Sequence, residues 1–177
     1  MYKKIFMTLA LVNHTVMIPI QFVTGEKTPL MFAAETGNIT HMQKLINEGA
    51  DVNAVEGWDQ PRMGYPVLRY AIDSKSVESV KLLLKYGADA NNHTTSPIIH
   101  TSRRHANVRN LPLLSHAIYS NAHIEIVQLL IEHGADVNEK TISNEWTPLM
   151  IAAYIGNTQA AQVLMQAGAD YAARSCD

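Results

Sequence analysis

One tripeptide constrains the whole chain. Gly-Ala-Asp occurs four times, beginning at Gly49, Gly87, Gly134 and Gly168, with gaps of 38, 47 and 34 residues. A proline precedes each glycine, at Pro29, Pro66, Pro112 and Pro148, by 20, 21, 22 and 20 residues. A nearly constant block therefore alternates with a connection of variable length. That pattern belongs to a stack of like units joined by tolerant loops, in which each unit touches only its neighbours.

Each block reads as two short helices. Proline suits the first helical position, where the missing N–H costs nothing, so Pro29, Pro66, Pro112 and Pro148 are expected to open the first helix. Ala33-Ala34, Ala71-Ile72, Ala117-Ile118 and Ala152-Ala153 follow, small enough in part for a neighbouring helix to approach closely. Gly37-Asn38 and Gly156-Asn157 break two of the blocks, since glycine takes the left-handed conformation that ends a helix. A second apolar stripe comes next, at Leu45-Ile46, Leu82-Leu83-Leu84, Leu129-Leu130-Ile131 and Val163-Leu164-Met165. Gly-Ala-Asp then stops it. Neither helix buries its apolar face alone, so stability comes from stacking.

Composition narrows the functions. The 177 residues are 47% hydrophobic but only 7% aromatic, which calls for an aliphatic core. With 14 Lys+Arg against 16 Asp+Glu the net charge is −2, which argues against a broadly basic nucleic-acid binder. The single cysteine, Cys176, excludes an internal disulfide and a polythiolate zinc site. No phosphate-binding glycine loop, Gly-x-Ser-x-Gly elbow or His-Glu-x-x-His motif is present. No catalytic residue, metal or cofactor is expected.

The blocks resemble ankyrin repeats. Thr28-Pro29-Leu30, Ala33-Ala34, Gly37-Asn38, Leu45-Ile46 and Gly49-Ala50-Asp51-Val52-Asn53 follow that family's pattern, which returns cleanly from Thr147 to Asp170. The second and third blocks depart from it, with Tyr65 and Leu111 before the proline and one extra residue (Val67, Leu113) between proline and leucine. The resemblance implies an all-α solenoid of helix–turn–helix units with hairpin-like connecting loops. It spans a domain at 26–177, with repeats about 28–60, 65–110, 111–146 and 147–173. It also implies that Asn53, Asn91 and Asn138 hydrogen-bond to the neighbouring unit. The fourth block lacks that residue and has a polar Gln159-Ala160-Ala161-Gln162 helix, as suits a terminal cap.

The family's hairpins and inner helices usually bind proteins, so unusual loops are the candidate sites. The connection after Gly49 carries Trp58, a residue type that anchors interfaces. The long insert at 91–110 carries Arg103, Arg104, Arg109, His93, His100 and His105 and no acid. It holds +3, against 11 basic and 16 acidic residues elsewhere, so it would steer toward an acidic protein surface. Trp58, Arg103, Arg104, His105 and Arg109 are the candidate partner contacts. The histidine spacings of seven and five match no metal site. His41, His116, His123 and His133 are expected to be solvated or capping, and Trp146 to pack along its own hairpin.

Residues 1–25 stand apart. Lys3 and Lys4, the apolar run Ile5 to Val12 and Pro19 read as a secretory signal cut after Gly25. No run reaches the roughly 20 apolar residues of a membrane span. The reading is thus a monomeric, non-catalytic protein-binding module, exported to the periplasm or medium if the signal is cut and cytoplasmic otherwise. Its rivals are an inhibitor or immunity-type protein, a protective protein for an exported enzyme, and an intracellular effector.

Overall fold

The computed structural model describes residues 27–56, 64–92, 111–142 and 145–175. These fold into eight helices and no strand. They form four pairs: α1 (Pro29–Glu35) with α2 (Ile39–Asn47), α3 (Val67–Asp73) with α4 (Val77–Lys85), α5 (Leu113–Tyr119) with α6 (Ile124–Glu132), and α7 (Pro148–Tyr154) with α8 (Thr158–Gln166). Every first helix has seven residues and every second helix nine. Helices α1, α3, α5 and α7 pack in sequence as one layer, and α2, α4, α6 and α8 as the other.

The core lies between the layers and is aliphatic. Ala34, Ala71, Ala117 and Ala152 are fully buried where first helices meet, as are Leu83, Leu130 and Leu164 of the second helices. Each fully buried leucine contributes about 1.5–3 kcal/mol relative to exposure. Ala153 is exposed instead, because no further helix pair covers it among the described residues.

The prolines do not all sit as expected. Pro29 and Pro148 are first helical residues, with Thr28 and Thr147 as caps whose side chains accept from the backbone of Met31 and Met150. Pro66 and Pro112 are one position earlier and occupy the cap itself, with no side-chain hydrogen bond. This explains the extra Val67 and Leu113: Leu68 and Leu114 fall at the helical position of Leu30, and all three are buried.

Asparagine fastens unit to unit. Asn53 Nδ2 donates to the Gly87 carbonyl at 3.0 Å while its Oδ1 accepts from Asp89 N at 2.8 Å. Asn91 repeats this with Gly134 and Asp136, at 2.7 and 2.9 Å. Asn138 does so with Gly168 and Asp170, at 3.5 and 2.7 Å. Within each tip the aspartate accepts from the N–H two residues on, at 2.8 Å, including Asp170 from Ala172 N. The fourth tip thus keeps the turn and lacks the clamp. Each of the four glycines has φ of 85–90°, which only glycine adopts without strain.

Candidate functional site

The residues singled out from sequence, Trp58, Arg103, Arg104, His105 and Arg109, lie outside the described residues, as do residues 1–25. The residues on either side of 57–63 form the base of a hairpin. Glu56 N donates to the Tyr65 carbonyl at 3.0 Å and Val67 N to the Ala54 carbonyl at 3.1 Å, with Val55 and Pro66 bridged antiparallel. A Cβ at Gly64 would overlap the Glu56 carbonyl, so that position admits only glycine. A second hairpin closes through Thr141 N to the Trp146 carbonyl at 2.9 Å. The Trp146 side chain is half-buried against the core and edge-on to Tyr154 at the end of α7, with ring centroids 5.1 Å apart.

The first-helix layer carries a connected strip of charged and aromatic side chains. Lys27 pairs with Glu35 at 2.9 Å and lies over the Tyr70 ring, 4.6 Å from its centroid. The Tyr70 hydroxyl donates to Glu56 at 2.6 Å. Its burial first, and the adjacent Glu56 carboxylate second, push the phenol well above its ordinary range, so Tyr70 stays a donor at any physiological pH. Arg69 stacks on Tyr65, 4.8 Å from its centroid, and its Nε donates to Asp73 at 3.1 Å. The His116 imidazole meets the other oxygen of Asp73 at 2.5 Å, joining α5 to α3.

His116 corrects the expectation of a solvated or capping residue: it is 4% exposed and held in the layer. The helical period explains this, since it occupies in α5 the position of Tyr70 in α3 and buried Ile151 in α7. Burial, with the Arg69 cation nearby, outweighs Asp73 and lowers the imidazole below its usual value. His116 is therefore neutral at pH 7 and donates Nε2–H to Asp73. Burial alone would raise the Asp73 carboxyl; the hydrogen bond and charge of His116 and Arg69 outweigh it and hold Asp73 below the usual carboxylate range. The other helical histidines do lie at helix ends or in solvent: His133 Nδ1 meets the Leu129 carbonyl at 2.8 Å at a helix end, and His41 and His123 are exposed.

Ser115, His116 and Asp73 do not make a hydrolytic triad. Consecutive helical residues point about 100° apart. Among the described residues the fully buried Ser115 hydroxyl has no hydrogen-bond partner, and His116 Nδ1 has none either. A nucleophile must touch its base and its substrate. Beyond the strip, Phe32 (55% exposed), Tyr119 (42%) and Tyr154 (72%) stand on the same layer and leave aromatic surface open to solvent. Among the described residues no helix is long and apolar enough to cross a membrane.

Known proteins give the same architecture. The family model described as "Ankyrin repeats (3 copies)" matches residues 5–94 and again 96–175. An ankyrin repeat protein of fowlpox virus (strain NVSL), FPV244, is 34% identical over 70 residues, covering 40% of this chain and 10% of the viral one. The transient receptor potential-gamma protein of Drosophila melanogaster is 23% identical over 150 residues, covering 85% of this chain and 13% of its own. The mitochondrial disaggregase of Bos taurus is 35% identical over 68 residues, covering 38% and 9%. The chain thus spans about a tenth of the length of these relatives. Two rows of helices with alanine at their contacts, glycine-capped hairpins, asparagine clamps and a family match across nearly the whole length place this chain among the ankyrin-repeat proteins.

Proposed function

We propose that this chain is a non-catalytic ankyrin module of four units that binds a protein partner across its first-helix layer and hairpin tips. The supporting observation is the open aromatic surface of Phe32, Tyr119 and Tyr154 on one layer, three side chains that the stack leaves outside its own core. Ankyrin repeats are generally protein-interaction modules, and aromatic side chains are the commonest anchors of such interfaces. Trp58 and the insert residues Arg103, Arg104, His105 and Arg109 extend the contact, the arginines toward an acidic patch on the partner. Export through residues 1–25 belongs to the same proposal, and the family match beginning at residue 5 competes with it.

A photo-crosslinker at Tyr154 identifies the partner, and titration with the purified partner then measures affinity. Replacing Tyr119 and Tyr154 together by alanine should weaken binding about tenfold or more, while stability falls only by the lost Trp146–Tyr154 contact, about 0.5–1.5 kcal/mol. Unchanged affinity would remove the layer from the interface. Charge reversal at Arg103 and Arg104 separately tests the acidic patch, and intact mass of the native protein tests cleavage after Gly25.

A further inference from the structure

The His116–Asp73 contact crosses from the third helix pair to the second, and the functional reading above makes no use of it. We propose that it is an acid-sensitive latch: protonating the His116 imidazole loosens the junction between α3 and α5. Three placements make the cation unwelcome there. The imidazole is almost wholly enclosed, so a charge there is cut off from water. Its one partner among the described residues, Asp73, is already engaged by the Arg69 guanidinium, so a second cation would have to share that carboxylate. Its Nδ1 is buried without a hydrogen-bond partner among the described residues. In the neutral ring that atom is a bare acceptor; in the cation it is an N–H with nothing to receive it.

The surrounding charges do not rescue the cation. From α3 the acting groups are Asp73, which favours it, and Arg69, which opposes it. The other helices packed on α5 bring Glu125 and Glu132 of α6 and Tyr154 of α7, all exposed and none acting on the ring. Within α5 itself Tyr119 is the other titratable side chain, and it is exposed. The folded state therefore takes up this proton less readily than the unfolded chain does. His116 supports the fold fully above the ordinary histidine value of about 6.5, and that support is lost as the pH falls below it. The opening is local, because each junction in a stack holds chiefly through its nearest neighbours.

The test uses the full chain between pH 7.5 and 5.0. Imidazole NMR follows all eight histidines, the His116 signal being the one absent from His116→Gln. Glutamine keeps an N–H for Asp73 but cannot charge. The latch predicts that His116 titrates below the ordinary histidine value of about 6.5. It also predicts that amides of α3 and α5 exchange about threefold or more faster at low pH, after correction for intrinsic rate, while α2 and α8 do not. The wild type should lose more of its urea midpoint than His116→Gln over the same range. A His116 signal titrating at or above about 6.5, or equal losses in both proteins, would overturn it. If the variant does not fold, the wild-type titration and amide exchange decide alone.

Discussion

Single side chains set how firmly one unit holds the next. Asn91 satisfies a carbonyl and an N–H of the following tip at 2.7 and 2.9 Å, whereas the Asn138 bond to Gly168 is stretched to 3.5 Å. Net contributions of about 1 kcal/mol per hydrogen bond make Asn91→Ala cost about 2 kcal/mol and Asn138→Ala about half that, read from urea midpoints at constant slope. Equal losses would show that the clamp geometry does not matter. Asp73→Ala should cost about 2 kcal/mol, because it strands Arg69 and His116 together. Half-exposure of the carboxylate keeps the figure below that for a fully buried pair. The clamps were legible in the sequence, as three asparagines at a fixed offset from Gly-Ala-Asp. His116 was not, because burial of a polar ring depends on which way its helix turns, and a shifted proline blurred the register of α5. Trp58 and the insert residues Arg103, Arg104, His105 and Arg109 carried the sequence reading of the site. They lie outside the described residues, and the strip on the first helices escaped that reading because its members are scattered from Lys27 to His116.

Helix existence and order followed from the spacing of proline, alanine pairs and Gly-Ala-Asp; helix starts did not all follow. Proline can open a helix or stand just before it, and only the buried leucines decide between the two. The turns within pairs differ as well. Gly37 and Gly156 take positive φ at no cost, while Lys75 and Asn121 occupy the same conformation, at φ of 56° and 53°. Lysine gains nothing there from its side chain, so Lys75→Gly should stabilise by about 0.5–1 kcal/mol, and Asn121→Gly by less, since asparagine tolerates the left-handed region. The third pair is the least well finished. Its turn holds four residues, Ser120 to His123, where the others hold three, and neither Pro112 nor His123 offers a side-chain cap. His123→Asn should therefore raise the melting temperature, worth about 1 kcal/mol of helix capping for α6. No gain would mean that the longer turn holds the cap residue away from the helix.

At the scale of the molecule, stability is a sum over pairs and junctions rather than the property of one core. The junction to the fourth pair combines the longest clamp with a second helix that buries only Ala160 and Leu164. Amide exchange in α7 and α8 should accordingly outpace that in α3 and α4 at neutral pH, and uniform protection would refute a graded stack. The architecture was the most legible level of all, since a period needs only counting. The surface that selects a partner was the least legible, because it is free to vary wherever the core does not. The clamp has one further consequence. It works in one direction, each tip reaching forward to the glycine carbonyl and aspartate N–H of the next, so the stack has a grammar. Any module ending in asparagine can be followed by any module bearing Gly-Ala-Asp. A copy of residues 111–146 spliced in behind Trp146 would find both halves of its joint already written, and should lengthen the protein without redesign. The same copy spliced in behind Ala172 would meet a closed sentence, and Ala172→Asn is the single letter that reopens it.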